Sequence, residues 1–470
     1  MSEITPRVSV VVATVDRPEA LRNCLDGLSR LLDVSCELIV VVGPGGDATI
    51  GLLRDDQRIA ALIANDERNL SRSRNLGLDQ ARGEVVAFID DDAYPSEWWL
   101  SDLLPQFDDD EVVAVGGEVF DHTGFTYQAR YSRCSRAGDS TVVLAEPLRG
   151  LTETPAAGTF DYPIGTNMLI RRSSLEQIGG FDEQFDYYHD ETDVARRLLD
   201  AGGIVRVVGG GQVFHKFLPS SIRDHRRVAL DRRSILTNRA YFAVRHQRLH
   251  DDETTLRADF ARFVTTSESE IDALVAEGIA GAEVALRHRA DVAVASTLLD
   301  SWLATPPQSQ PHRADPAALR VQRDHILERT SRARRHLVVI NEGLPLDLLA
   351  VAEQLAAEGH IVRVLEASQL HSTVDLEAGL WRHRLAPADR LAGSTEPSPS
   401  ELLWLRAAQA VFDELQRIES VLHPIDAVLA LESALADEVA RQGVQLHQVT
   451  TVDDLSSATL AKNLLATTTS

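Results

Sequence analysis

Val85-Val86-Ala87-Phe88-Ile89-Asp90-Asp91-Asp92 is the stretch on which the reading of this chain turns. An unbroken apolar run with β-branched Val85, Val86 and Ile89 has the pattern of a strand buried on both faces of a sheet. Three carboxylates follow it directly. In an open α/β sheet the carboxyl ends of the strands line the ligand crevice, so these acids are expected to face one. Like charges this close repel, and one of them gains a proton unless a cation compensates. Hard divalent ions take oxygen ligands, and Mn²⁺ or Mg²⁺ could bridge such acids to a diphosphate. Asp108-Asp109-Asp110 lacks the preceding strand and reads as a solvated turn.

Outward from this point the pattern alternates strand with helix. Val8 to Ala13 is a buried strand. Leu21, Cys24, Leu25, Leu28 and Leu32 fall at helical spacing over 18 to 32, with Pro18 in a first turn that tolerates it. Leu38 to Val42 is a second strand, and the spacing predicts a helix near 71 to 81 before the acidic strand. This order implies a parallel sheet with helices on both faces. Further on, Ser173 and Glu176 fit a capping box. A helix is expected from Glu191 to Ala201, then a strand at Ile204 to Val208 leading to His215. Residues 222 to 335 read as helical. Alternating strands and helices return from His336, including a helix near 400 to 421, and suggest a small Rossmann-like module.

The chain has 470 residues, too many for one typical domain. The expected division is 1–240, 241–333 as a helical extension, and 334–470. The formal net charge of -24 argues against a general nucleic-acid binder, whose footprint would be basic. Cys24, Cys36 and Cys134 make no disulfide framework and fit a reducing cytoplasm. The short apolar run after the first residues does not match a secretory signal. No stretch reaches about 20 apolar residues, so the expectation is no transmembrane segment, with peripheral membrane contact left open.

Two further clusters carry chemistry. His189-Asp190-Glu191-Thr192-Asp193 opens a helix, where the dipole favours carboxylates and keeps them ionised, as a general base must be. A plain N-terminal cap is the competing explanation, and Asp193 is expected to pair with Arg197. His215 follows a glycine-rich turn between Phe214 and Phe217. Folded near Asp92, its imidazole would complete a metal site; packed elsewhere, it is a core histidine.

Motifs in order carry a resemblance. Val10-Val11-Val12-Ala13-Thr14 with Arg17-Pro18, Asn69 with Ser73-Arg74-Asn75-Leu76-Gly77, Gly83-Glu84, and Phe88 to Pro95 come first. Gly165-Thr166-Asn167-Met168, Gly179-Gly180-Phe181-Asp182-Glu183 and the acidic helix start follow. From Val8 to about Phe217 the chain closely resembles family 2 glycosyltransferases of the GT-A fold, a mixed, mostly parallel sheet flanked by helices. The resemblance implies a metal-dependent inverting transfer from a nucleotide-diphosphate sugar to a glycan, lipid-linked or small-molecule acceptor. It places Thr14, Arg17, Asn69, Arg74, Asp90 and Asp91 at the nucleotide sugar. Asp92, Asp90 and His215 go to the Mn²⁺ or Mg²⁺ ion, and Gly165, Thr166 and Asn167 to the acceptor side. Glu191 takes the place of the base, with Asp190 the alternative.

Two departures stand out. The family's aspartate at the end of the second strand is replaced by Gly43-Pro44-Gly45, leaving Asp47 as a substitute, and the usual Glu-Asp pair is Asp190-Glu191. These departures also admit a catalytically silent sugar-nucleotide-binding scaffold. A sugar-nucleotide nucleotidyltransferase fits less well, because Ala13 to Pro18 is no Gly-rich phosphate loop. The 334–470 module loosely resembles half of a GT-B enzyme and receives no catalytic role.

Overall fold

A computed structural model of the chain describes residues 5–144, 158–220, 222–309, 312, 314–331, 336–341, 346–367, 372–377, 379–385, 427–430 and 449–451. The helix expected near 400 to 421 lies outside them. The main sheet runs in the order Ile204–Val207, Val112–Gly116, Met168–Arg171, Val85–Asp90, Val8–Thr14, Val34–Val42, Ile59–Ala64, Leu319–Gln322. Met168–Arg171 and Leu319–Gln322 run antiparallel to their neighbours, and Leu327–Arg329 pairs antiparallel with the start of Val34–Val42. The expected fold class, a mixed and mostly parallel α/β sheet flanked by helices, is what forms.

The β-branched runs explain the centre of this sheet. Val8, Val10 and Val12 point into one apolar cluster with Leu21, Leu25 and Trp99, while Val11 points into the other with Leu76, Phe88 and Phe181. Each such side chain contributes about 1.5–3 kcal/mol on burial, so the strands most buried on both faces occupy the middle. Gly77 lets the helix Leu70–Leu78 lie close on the sheet, since a Cβ there would come within 2.4 Å of Val11 Cγ1. That close approach fixes where the helix starts, and hence where Asn69 and Arg74 sit.

Topology then places the site. From Val8–Thr14 the chain adds Val34–Val42 and Ile59–Ala64 on one side, then crosses back to lay Val85–Asp90 on the other. The order reverses between Val8–Thr14 and Val85–Asp90, and open α/β sheets bind ligands at that reversal. In register, Ala13 lies beside Asp90.

Several expectations need adjusting. The helix Asp47–Leu53 and strand Ile59–Ala64 were not expected from the sequence. The capping box does not form: the helix Arg172–Gln177 has Arg171 at its cap position with no side-chain bond, which leaves Ser173 inside the helix. The 241–333 stretch contains the long helices Glu253–Ala276 and Ala282–Ala304, yet its strands Leu319–Gln322 and Leu327–Arg329 belong to the main sheet. His312 clips it down further, its ring nitrogens 2.7 Å from Asp79 Oδ1 and 3.0 Å from Glu183 Oε1. Beyond it, a six-stranded sheet is built from His336–Asn341, Ile361–Ala367, Thr373–Glu377, Leu380–Leu385, Ala427–Ala430 and Val449–Thr451. Among the described residues its pairings are parallel except that of Thr373–Glu377 with Leu380–Leu385.

Hydrogen bonds to Asp79 and Glu183 outweigh burial and raise His312 from 6.5 to about 9. A raised histidine contributes stability that is fully present below about pH 6.5 and lost as pH rises through about 9. His312→Ala should therefore lower unfolding free energy by about 1–3 kcal/mol at pH 6. Urea titrations should show the wild-type advantage gone by about pH 10.

Candidate active site

The acidic strand ends in a turn that sends its carboxylates different ways. Asp91 is fully buried and turns back into the sheet, where Thr14 Oγ1 donates to its Oδ2 at 2.6 Å. The Arg17 guanidinium lies 2.7 Å from Asp91 Oδ1 and 2.9 Å from Asp92 Oδ2. Burial, aided by the charge of Asp92 and opposed by Arg17, raises Asp91 to about 7. The Asp90 side chain remains one-third exposed (33%), facing the crevice.

Asp92 is gathered from the other side. The strand Val213–His215 pairs antiparallel with Ala93–Pro95, which sets His215 opposite Ala93. His215 Nε2 then lies 3.2 Å from Asp92 Oδ1 and 3.7 Å from Asp90 Oδ2. The backbone N–H of Leu218 donates to Asp92 Oδ2 at 2.7 Å. His215 and Arg17 hold Asp92 well below the usual carboxylate range against the pull of burial, and the two aspartates raise His215 in turn. Asp90, Asp92 and His215 each offer one ligand atom within 4.8 Å of the other two. The other imidazole nitrogen, Nδ1, sits 2.9 Å from Gln128 Oε1. With Nδ1–H donating to Gln128, Nε2 presents a lone pair to a cation, the arrangement expected around metal-bound histidines. The residues present therefore fit a hard divalent ion.

Buried Arg74 joins the two acidic centres, and neither it nor Asp190 nor Glu191 lines the cavity. Its guanidinium pairs with Asp190 and lies 3.7 Å from Asp90 Oδ1. Asp190 is the first residue of the helix Asp190–Asp200, after His189 in the left-handed region at φ 63°. Glu191 is beside it, and burial together with the Asp190 charge pushes Glu191 well up, with Arg74 only partly opposing. Asp193 points away into a structural network with Arg197, Arg245 and His246, as expected for Arg197.

The sequence candidates divide accordingly. Gly165 lies between the centres: a Cβ there would sit 3.0 Å from Arg74 Nη2 and 3.4 Å from Glu191 Cδ. Thr166 Oγ1 accepts from the Asp90 backbone N–H. Asn167 is buried away from the cavity, accepting from Trp99 Nε1 and donating to the carbonyls of Glu118 and Gly211. Asn69 caps the helix Leu70–Leu78 and lines the cavity. Asp47 is exposed and is not a cavity residue, whereas Asp16 and Glu67 are.

The cavity, about 460 Å³, runs from Thr14 and Arg17 past Asp90, Asp92 and His215 to Arg223. Arg223 was not anticipated. It is 5% exposed, stacked with Cζ 3.5 Å from the Phe217 ring centroid, and its Nε and Nη1 have no hydrogen-bond partner among the described residues. In sequence it belongs to Arg223-Asp224-His225-Arg226-Arg227, a run that reads as a solvated surface. Gln128 carried no sequence signal.

Residues 9–179 match the family model described as glycosyl transferase family 2. This segment is a family 2 glycosyltransferase domain. Over 220 residues the chain is 28% identical to O-antigen biosynthesis protein RfbC of Myxococcus xanthus, covering 43% of this chain and 16% of that one. It is 29% identical over 196 residues to the pre-mycofactocin glycosyltransferase of Mycobacterium tuberculosis, covering 40% and 39%. The chain thus spans well under half the length of either relative. The S. aureus TarS 1-349 crystal structure, complexed with UDP-GlcNAc, aligns over 67% of this chain and 96% of that chain, with 14% identity and a TM-score of 0.41.

Asp92→Asn should weaken Mn²⁺ binding more than about tenfold, and Gln128→Leu by roughly 10- to 100-fold through loss of the imidazole's orientation. Electron paramagnetic resonance titration of free Mn²⁺ reads both. Unchanged affinity in both variants would remove the ion from this site.

Proposed function

We propose that the chain is a metal-dependent, inverting glycosyltransferase that moves a sugar from a nucleoside diphosphate to an acceptor hydroxyl. The observation that carries this is the convergence of Asp90, Asp92 and His215 at the sheet's reversal point, inside one cavity with Arg223. Family membership of residues 9–179 supports it, and the relative named for O-antigen biosynthesis supports a cell-envelope glycan or lipid-linked acceptor. Among the described residues no helix is long and apolar enough to cross a membrane.

Asp90, Asp92 and His215 would hold Mn²⁺ or Mg²⁺, whose chemistry is to offset the charge of a diphosphate. Arg223 lines the cavity, and its guanidinium offers the leaving diphosphate a charge-assisted partner there. Thr14, Arg17 and Asn69 line the nucleotide end. On the acceptor side Glu191 takes the hydroxyl proton as the oxygen bonds to the anomeric carbon. The bond from that carbon to the diphosphate oxygen breaks in the same step, which inverts the centre. Asp190 is occupied by Arg74, whereas Glu191 has a raised proton affinity that makes it a strong acceptor once ionised. A bare Gly165 lets Arg74 and Glu191 approach its backbone closely, since a Cβ there would sit 3.0 Å from Arg74 Nη2.

A panel of UDP-, GDP- and dTDP-sugars with Mn²⁺ tests the proposal, and binding of none of them would sink it. A base must be ionised, so kcat/KM should rise with pH through a limb well above the ordinary glutamate range, given the upward push on Glu191. Asp190→Asn removes the neighbouring charge and should move that limb down. Glu191→Gln should cost roughly 10²- to 10⁴-fold in kcat. If Glu191→Gln retains full rate while Asp190→Asn abolishes it, the base is Asp190. Arg223→Ala should weaken nucleoside-diphosphate binding by about 1.5–3 kcal/mol, read by calorimetry.

A further inference from the structure

The strap that delivers His215 to the aspartates is held from behind by the C-terminal module. Along Val213–His215 and the residue after it, side chains alternate in direction, as in any strand. His215 faces Asp90 and Asp92, whereas Phe214 and Lys216 face the other way. Phe214 packs on Trp381 with centroids 5.0 Å apart, in a cluster with Val374 and Leu376. Lys216 Nζ donates to Thr373 Oγ1 at 2.8 Å, the Val374 carbonyl at 2.7 Å and Asp375 Oδ1 at 2.9 Å. An ammonium has three donors, and one strand of the module engages all of them. Meanwhile the Lys216 backbone N–H donates to the Asp92 carbonyl at 2.9 Å. One residue thus touches both the acidic turn and the module.

The docking behind this contact is specific. Trp381 Nε1 donates to Glu97 Oε1 at 2.8 Å, only a few residues beyond the acidic turn. Arg30 lies 3.6 Å from the same Glu97 and donates to the His360 carbonyl at 3.3 Å. Buried polar contacts of this kind fix one docking geometry, because any slip leaves them unpaired in a dry interface.

We propose that the C-terminal module is a positioning element of the donor and cation site, acting through Lys216 on the strap that carries His215 and the Leu218 N–H. The inference rests on the reading of Asp90, Asp92 and His215 as a cation site. The module supplies no group to the reaction. It fixes the angle at which imidazole and backbone reach Asp92, and through the following loop the placement of Arg223.

Full-length Lys216→Met, Asp375→Asn and the double variant test this. Expected for Lys216→Met is a roughly tenfold weaker Mn²⁺ dissociation constant by paramagnetic resonance, the size typical of losing a contact that orients a ligand. Hydrogen exchange over residues 213–223 should quicken in the same metal-free protein. Asp375→Asn, remote from the acids, should shift both readouts in the same direction, and the double variant should be no worse than Lys216→Met. Leu355→Ala, in the buried core of the module, should lower the melting temperature without moving either readout. Unchanged Mn²⁺ affinity in Lys216→Met overturns the proposal, as does an equal loss in Leu355→Ala, which would make the effect one of general stability. Absence of Mn²⁺ binding in the wild type overturns the cation site itself, and the inference with it.

Discussion

Everything in this structure answers to one electrostatic constraint: three adjacent carboxylates at the carboxyl end of a buried strand. Burial disfavours their charged forms, and mutual repulsion adds to the penalty. The fold solves this by separating them. Asp91 is turned inward to Thr14 and Arg17, Asp92 is met by His215, Arg17 and a backbone N–H, and Asp90 keeps part of its surface in the crevice. Arg74 extends the compensation to the acids of the opposite helix, so the two halves of the site share one guanidinium. The chain's overall negative charge makes these few buried cations matter more, because Arg17 and Arg74 are each shared between two carboxylates.

Sequence made the core of this legible and its surroundings much less so. Runs such as Val8 to Ala13 and Val85 to Ile89 are strands by composition, and the reversal between them follows from parallel α/β topology. The position of Asp90 to Asp92 therefore came with the fold. Strand Ile59–Ala64 escaped because Ile59-Ala60-Ala61-Leu62-Ile63-Ala64 suits a buried helix as well as a strand, and periodicity cannot separate the two in so short a run. The cap at Ser173 failed for a local reason: Arg172 opens the helix directly from the preceding strand, leaving no turn for a serine to cap.

Side-chain direction was the other blind spot. His215 could be named from its surroundings, but its approach to Asp92 depends on pairing with Ala93–Pro95, a contact between residues more than a hundred positions apart. Arg223 depends on a loop and Gln128 on the three-residue strand Tyr127–Ala129, neither of which a spacing rule describes. Asn167 shows the converse. It sits in a motif with Gly165 and Thr166, yet it braces Trp99 and two backbone carbonyls, so proximity in sequence did not mean a shared role.

The antiparallel strand Leu319–Gln322 lies along Ile59–Ala64 at the margin of the main sheet. A polypeptide ending near residue 240 would keep every acid of the crevice and lose that cover. The row Ile59-Ala60-Ala61-Leu62-Ile63-Ala64 would then present open backbone donors and acceptors on an apolar strand, a template for sheet-to-sheet self-association. The later part of the chain is thus also the guard of the earlier part's solubility, and the natural unit of expression extends at least through residue 329.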